Sequence, residues 1–474
     1  MIVVPGKRTV ENTDDSMALR CSTGIEQDSS ARFLIHPGFC GEQPNSGTEK
    51  GETMAKTVER LQEFSVPLIA GVLLAVLWAN ISPHSYHAAV HAPFHQFGEW
   101  LRVGSSMTVS HDSWEYFFTL HFLSNDVFMV VFFGIAAKEI TEACLPNGAL
   151  NPVSKAVNPL FATVGGVVGP VGMFLGLNYV FGRAEWMNGW GVPTATDIAL
   201  AWLVVRCLFG KSHPAVSFLL LLAVADDAIG LGIIAIGYPN PHHPTQWMQL
   251  AWLIPGMAIA SGLRRRQVQN WVPYIVVGGG FAWWALFSAH LHPALALVFI
   301  VPFLPGPSRD QGMFQYRTQS HSHSPLESFE HDLKRMVDFG LFFFALANAG
   351  VAFSEVNGLS WIILASLIAG KMVGITVFSL GAHWIGFRLP PGMTAGHVVV
   401  TSVVAGLGLT VALFVSGQAF TDPGLQGAAR MGAVFSVAAA GLAVIARNLF
   451  RIEKAAEELV GSLTVQSEPE QVVR

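Results

Sequence analysis

The chain has 474 residues, of which 51% are hydrophobic and 12% charged, with a net charge of −5 and a mean hydropathy of +0.46. Soluble domains carry about 25% charged residues, so this chain cannot cover a water-facing surface. A soluble enzyme, a disulfide scaffold and a nucleic-acid-binding protein are therefore excluded, since there is also no basic stripe with interleaved aromatic residues. The composition predicts an all-α membrane protein.

The charge is concentrated at the two ends of the chain. Residues 1–55 are polar and rich in Gly, Ser, Glu and Asp, which is typical of a disordered segment. We predict a disordered cytoplasmic N-terminal tail over 1–55, a membrane domain over 56–450 and a cytoplasmic C-terminal tail over 451–474.

The membrane domain contains recurring apolar segments, each close to the ~20 residues that cross a hydrocarbon core. They predict twelve transmembrane helices, in chain order 64–81, 121–142, 157–181, 192–209, 214–237, 247–263, 272–288, 290–305, 335–353, 359–381, 396–417 and 428–446.

The Lys and Arg residues between these segments predict the orientation. One set of alternating ends holds seventeen of them and the other set holds three, Arg102, Arg183 and Arg430. Because the Lys/Arg-rich ends face the cytoplasm, both termini are predicted to be cytoplasmic, which requires an even number of spans.

Two connecting loops are unusually long. Residues 82–120 are external in this topology and aromatic, and could form a hairpin or an interfacial element. Residues 306–334 are cytoplasmic and contain three histidines, His321, His323 and His331. Metal binding there is one interpretation, but a flexible polar loop is the simpler one because no fourth ligand is evident.

Four charged residues interrupt the apolar segments: Asp197, Asp226, Asp227 and Lys371. A charge in mid-membrane costs a few kcal/mol even on lenient scales, so those that persist usually have a function. A structural ion pair or a position nearer the interface is the alternative for each. That alternative is least favourable for the adjacent Asp226 and Asp227, which have about ten apolar residues on either side.

Two adjacent carboxylates in a low dielectric cannot both ionise unless a cation compensates them. A proton, an ammonium such as that of Lys371, or a hard ion such as Na+ can do so, and oxygen ligands suit Na+ better than a transition metal. A site that takes either protons or Na+, but disfavours both together, has the chemistry of an exchanger.

Backbone-breaking residues support this interpretation. The fourth span carries Gly191 and Pro193 just before Asp197, and the eleventh carries Gly406 and Gly408. These spans are the middle members of two triplets, so the paired interruptions predict an ion site built from broken helices in an inverted repeat. Asp197 could then neutralise the positive N-termini of the half-helices.

The chain resembles the NhaA family of Na+/H+ antiporters. The resemblance covers about residues 60–450 and rests on a series of segments in family order: SNDVFMVVFFGI, ATVGGVVGPVGMFLGLN, GWGVPTATDIALAW, AVADDAIGLGIIAI, HLHPALALVFIVPFLP, LESFEHDL, FALANAGV, AGKMVGI and AGLGLTVALFV.

The resemblance implies a twelve-helix fold with discontinuous fourth and eleventh helices. Asp227 would be the main Na+ or Li+ ligand and proton carrier, and Asp226 would form a salt bridge with Lys371 that breaks and reforms during transport. Asp197 would lie at the helix crossing, with Thr196 beside the ion.

The family also implies electrogenic exchange of cytoplasmic Na+ for external protons in a bacterial inner membrane. It implies activation at alkaline pH, no cofactor beyond the transported ions, and a homodimer through the 82–120 loop. Where the family commonly has glutamates of its pH-sensing cluster, this sequence has Ala136 and Ile140, with Glu139 and Glu142 nearby. We therefore expect its pH regulation to depart from the family pattern.

Two other functions remain open at this point. A sodium-coupled symporter of an organic anion could share the architecture, although a symporter must hold Na+ without exchanging it for protons. An intramembrane aspartyl protease also places two aspartates in different spans, but it requires Tyr-Asp and Gly-x-Gly-Asp contexts, which Asp197 and Asp226 do not have.

Overall fold

The computed structural model describes residues 65–96, 114–238 apart from 147, 149 and 152, 245–306 and 324–452. This part of the chain is helical and contains no β-strand. The predicted tails lie outside the described residues, except for residues 451 and 452, as do the middle of the 82–120 loop and most of the 306–334 loop.

The helices follow the predicted apolar segments. The N-terminal ones are α1 (Val66–Ile81), α2 (Pro83–His91), α3 (Leu120–Ala143), α4 (Val153–Phe181), α5 (Ala184–Thr194), α6 (Ile198–Phe209) and α7 (Pro214–Gly237). The remaining ones are α8 (Leu253–Arg265), α9 (Tyr274–Ser288), α10 (Pro293–Phe303), α11 (Pro325–Asn348), α12 (Gly358–Ile385), α13 (Ala395–Ala405), α14 (Leu409–Ala419) and α15 (Pro423–Leu449).

Each of the twelve predicted ranges overlaps one of these helices. Five helices of the described residues are long and apolar enough to cross a membrane alone, and the number rises to seven if each of two bent pairs is one span. Many of their large apolar side chains, such as Val168, Ile236 and Val377, lie on the outside of the protein. These helices are those of a multi-pass membrane protein, and the count of twelve stays a prediction.

The bounds of the ninth predicted span are wrong. Its helix, α11, begins at Pro325 and ends at Asn348, whereas apolar character alone predicted 335–353. Ser324 and Glu327 form a capping box that starts the helix in polar sequence. Residues 325–334 are therefore helix and not loop, and His331 lies on this helix.

Two helices are interrupted near their middle. α5 and α6 are bent by 55° across residues 195–197, the first break, and α13 and α14 are bent by 49° across residues 406–408, the second break. Pro193 has no amide hydrogen to continue a helix, and the glycines at 406 and 408 weaken it. The interruptions thus fall at the residues that the sequence singled out.

α4 packs directly on α12, and the contact is made by backbone. A Cβ on Gly165 would overlap the carbonyl oxygen of Gly374, and one on Gly169 would overlap that of Gly370. Glycines spaced four residues apart on each helix allow this close approach, as is common between membrane helices. The contact fixes the backbone on both sides of Lys371.

Candidate functional site

The carboxylate of Asp197 lies between the N-termini of two half-helices. It caps α6, where Oδ1 accepts a hydrogen bond from the amide of Leu200 at 3.1 Å. Its Oδ2 accepts one from the amide of Thr410, in the first turn of α14, at 3.2 Å. Buried amides at helix N-termini need such acceptors, and a negative charge is favourable there. The carboxylate of Asp197 therefore accepts a hydrogen bond from an N-terminal amide of each half-helix.

The two breaks also contact each other through backbone. The amide of Asp197 donates to the carbonyl oxygen of Leu407 at 2.6 Å. A Cβ on Gly408 would lie 2.6 Å from the carbonyl oxygen of Ala195, so the second break has no room for a side chain at this point. The extended segments thus cross at the centre of the protein.

Thr196, Asp226 and Lys371 form one hydrogen-bonded group beside this crossing. The Lys371 ammonium donates to Thr196 Oγ1 at 2.6 Å and to Asp226 Oδ2 at 3.0 Å. Thr196 Oγ1 in turn lies 2.7 Å from Asp226 Oδ2 and 3.2 Å from the carbonyl oxygen of Ala405, at the end of α13. The lysine is 0% exposed, so this is a buried ion pair that depends on its neighbours for compensation.

Asp227 differs from its neighbour. Its carboxylate makes no hydrogen bond or ion pair within the part of the chain that the structure describes, and the side chain is partly accessible. Asp226 itself leaves Oδ1 buried without a partner. Two carboxylates on consecutive residues thus offer oxygen atoms that no donor of the described residues uses, which is the arrangement that a proton or a hard cation would complete.

Further acidic groups surround Asp227. Glu139 on α3 and Asp197 both lie within electrostatic range of it, together with Asp226 and Lys371. Lys138, next to Glu139, forms salt bridges with Glu142 at 2.6 Å and with Glu330 on α11. The sequence analysis named Glu139 only as an acid near the positions of the family's pH-sensing cluster and did not select it as a site residue. Its place at the end of an apolar segment is the signal that could have selected it.

The five residues that the sequence singled out therefore fall in one region. Hydrogen bonds link Thr196, Asp226 and Lys371, and Asp197 is the chain neighbour of Thr196. Asp227 is the chain neighbour of Asp226, but its side chain forms no hydrogen bond or ion pair with the other four among the described residues. In the second break the glycines at 406 and 408 were the sequence signal. The backbone contacts of Leu407 and Thr410 with Asp197 could not be predicted from sequence, because they depend on how distant segments pack.

Comparison with known proteins gives close relatives. The family described as Na+/H+ antiporter 1 matches residues 56–447. The chain is 54% identical over 398 residues to the Na(+)/H(+) antiporter NhaA of Geobacter sulfurreducens, covering 84% of this chain and 98% of that protein. It is 54% identical over 401 residues to Na(+)/H(+) antiporter NhaA 2 of Pelobacter propionicus, covering 85% and 100%.

A more distant relative is the Na(+)/H(+) antiporter NhaA of Jannaschia sp., 41% identical over 415 residues, which cover 82% of this chain and 97% of that protein. The solved structure of the sodium proton antiporter MjNhaP1 from Methanocaldococcus jannaschii has a TM-score of 0.44 at 12% identity, over 85% and 94% of the chains, and is too dissimilar to bear on the fold. From the matches over most of its length, the chain belongs to the NhaA family of Na+/H+ antiporters.

Proposed function

We propose that this protein is a secondary Na+(Li+)/H+ antiporter that extrudes cytoplasmic Na+ in exchange for external protons and serves sodium and pH homeostasis. One observation carries the proposal. In the buried ion pair, the charge of Asp226 is compensated by that of Lys371, whereas the carboxylate of the adjacent Asp227 has no polar partner among the described residues. The matching family is one of antiporters. The proposal therefore includes no enzymatic activity and no cofactor beyond the transported ions.

We further propose the topology of twelve spans with both termini in the cytoplasm of an inner membrane. The first break would interrupt the fourth span and the second break the eleventh. The seventeen-to-three distribution of Lys and Arg and the overlap of every predicted range with a helix support this arrangement.

The ion would bind at the carboxylate of Asp227, with the unpartnered Oδ1 of Asp226 and the hydroxyl of Thr196 as further oxygen ligands. When the site faces the cytoplasm, Na+ displaces the proton of Asp227, because a buried carboxylate needs one positive charge and not two. Rocking of the two repeats then exposes the site outside, where protons displace Na+.

The exchange is electrogenic if Na+ also draws Asp226 away from Lys371. A buried ammonium that loses its counter-ion is strongly destabilised, so it gives up a proton. Two protons, one from Asp227 and one from Lys371, then leave for each Na+ that binds. The same reasoning favours exchange over the symport alternative, since Na+ and protons compete for these groups.

The test replaces Asp227 by Asn, which preserves side-chain size and removes the charge. In everted vesicles we expect Na+-dependent pH changes to be lost, while the yield and the unfolding temperature of the detergent-solubilised protein change little. Normal exchange by this variant would refute the site. Asp422→Asn, at the cap of α15 and outside the site, is the matched control and should retain exchange.

A homodimer through the 82–120 loop remains part of this proposal. The described flanks of the loop, α2 and a short 3₁₀ helix over Trp114–Phe118, are compatible with a structured external element. Removal of residues 97–113 should convert a dimer to a monomer by cross-linking in membranes, with exchange retained.

A further inference from the structure

Three aromatic rings meet at one end of the bundle, at the ends of the three helices that form the ion site. The ring of His213, just before α7, lies 4.7 Å from that of His397, in the first turn of α13, with an angle of 26° between the ring planes. Phe209, the last residue of α6, lies 5.1 Å from His213 and 5.5 Å from His397. We refer to Phe209, His213 and His397 as the histidine stack.

Both imidazoles use Nδ1 to accept a backbone hydrogen bond at a helix N-terminus. His213 Nδ1 accepts from the amide of Ala215 at 3.1 Å and so caps α7. His397 Nδ1 accepts from the amide of Thr394 at 3.1 Å, in a capping box where histidine takes the place usually held by Glu or Gln. His397 Nδ1 also lies 2.7 Å from the hydroxyl oxygen of Thr394. An Nδ1 that accepts the backbone hydrogen bond is unprotonated, which requires a neutral ring.

Protonation would oppose this arrangement in three ways. A proton on Nδ1 removes the acceptor of a helix cap, and the charge is placed at the positive end of a helix dipole. Two imidazolium rings at this separation also repel each other. Burial, with His397 beside it, lowers the pKa of His213 below its ordinary value. When the pH falls through the ordinary value of about 6.5 for histidine, a released ring takes up a proton before a stacked one, so acid favours opening of the stack.

The surrounding elements do not offset these effects. The charged residues at this end of α6, of α15 and of the two links are cations, Arg206 on α6, Lys211 in the link to α7, Arg388 in the link to α13, and Arg447 and Arg451 at the end of α15. α3 packs on α7 and carries Lys138, Glu139 and Glu142 near its end, and α12 packs on α13 and carries His383 near its end. The pKa of His213 is lowered by burial and by His397, and no carboxylate of the described residues acts on either imidazole.

We propose that the histidine stack is a pH-sensitive contact that holds α6, α7 and α13 in the packing required for exchange while both rings are neutral, and releases them when a ring is protonated. The stack joins the helix that carries Asp226 and Asp227 to one half of each broken helix. It rests on the proposed function in one respect, because its effect is read as a change in Na+/H+ exchange with pH.

The first experiment compares the unsubstituted chain with the double variant His213→Asn/His397→Gln. Asn is a strong N-cap acceptor and Gln completes a capping box, so both caps are kept and neither side chain titrates. Na+-dependent proton movement is measured in everted vesicles from about pH 6 to about pH 9. We expect the pH of half-maximal exchange to fall by about 0.5 to 1 unit, since the group removed titrates in this range. An unchanged pH of half-maximal exchange overturns the proposal.

His383→Gln is the matched control. His383 is near the end of α12, and its Nδ1 also accepts a backbone hydrogen bond, from Leu389 at 3.2 Å, but no second imidazole stacks on it in the described structure. The pH dependence of exchange in this variant should match that of the unsubstituted chain. A shift as large as that of the double variant would overturn the assignment to the stack.

The second experiment does not depend on transport. Nitroxide labels at Ser212→Cys and Ala395→Cys, in a chain whose native cysteines are replaced by serine, report the distance between the starts of α7 and α13 by pulsed electron paramagnetic resonance. We expect a longer or broader distribution at about pH 5.5 than at about pH 8.5 when both histidines are present. The distribution should be independent of pH in the double variant.

The two experiments separate the failure of each proposal. A pH-independent distance in the histidine-containing chain overturns the stack, even where exchange is normal. A pH-dependent distance that persists in the double variant also overturns it. A histidine-dependent change of distance in a protein without Na+/H+ exchange supports the stack and refutes the proposed function instead.

Discussion

The two breaks have the same backbone role and different chemistry. The first break, residues 195–197, brings a hydroxyl and a carboxylate to the centre of the protein, through Thr196 and Asp197. The second break consists of Gly406, Leu407 and Gly408 and contributes carbonyl oxygens, amides and space. The two bent helix pairs therefore provide two similar openings, of which one carries polar side chains and the other leaves room for them.

The largest effect is expected from filling that space. Gly408→Val places a side chain where a Cβ would lie 2.6 Å from the carbonyl oxygen of Ala195 and from Leu367. We expect a loss of stability of about 3 kcal/mol and of all exchange, because the two extended segments can no longer cross. The measurement is the thermal unfolding midpoint in detergent together with vesicle transport. Gly441→Val, where an added Cβ contacts nothing within 4 Å, should change neither.

The next effect concerns the charge in the first break. Asp197→Ala leaves the amides of Leu200 and Thr410 without their acceptor, and we expect a loss of about 2 kcal/mol in unfolding free energy. Asp197→Asn keeps one carbonyl oxygen and should lose about half as much. Denaturant unfolding of the two variants checks the difference. Equal losses would mean that the negative charge, and not the hydrogen bonds, compensates the half-helices.

A third prediction concerns the ion pair that rests against the first break. In Asp226→Asn/Lys371→Gln both members are neutral, so Asp227 alone can carry a proton. Exchange should become one-for-one and electroneutral, with a rate reduced about tenfold because a ligand oxygen has lost its charge. Vesicles clamped at different membrane potentials measure this. A rate that still depends on the potential would show that the second proton does not come from this pair.

The smallest effect is expected from the hydroxyl in the first break. Thr196→Val removes the oxygen that accepts from Lys371 and lies 2.7 Å from Asp226. The hydroxyl bonds two charged groups here and would be one ligand of Na+, so its loss should weaken Na+ binding by a net amount of about 1 kcal/mol, and the apparent KM for Na+ should rise about fivefold at alkaline pH. Thr196→Ser retains the hydroxyl and should restore the affinity. An equal rise in both variants would point to packing of the methyl group.

Much of this structure could be predicted from sequence because a membrane makes polar residues informative. Asp197, Asp226 and Lys371 were selected since a charge in hydrocarbon needs a partner, and the structure pairs each of them with the expected kind of group. The breaks were predicted from Pro193, Gly406 and Gly408, because residues that interrupt a helix are unfavourable in a membrane unless the protein compensates the freed backbone groups. These signals are local, so one sequence is enough to detect them.

What could not be predicted depends on contacts between distant segments. The start of α11 was misplaced because its first residues are polar, and only the capping box of Ser324 and Glu327 indicates helix there. The pairing of His213 with His397 joins residues nearly two hundred positions apart, and neither stands out in its own segment. Glu139 was not selected because the face that a helix turns toward the site follows from packing and not from its own sequence.

The glycine contact between α4 and α12 has a consequence for Lys371. At Gly165 and Gly169 the backbones of the two helices touch directly, so at these two positions no side chain can change its rotamer to alter the spacing. This contact holds the Cα of Lys371 at a fixed position relative to α4. The ammonium can therefore move only within the reach of the four-carbon side chain. Any larger separation of this charge from Asp226 has to come from displacement of α7.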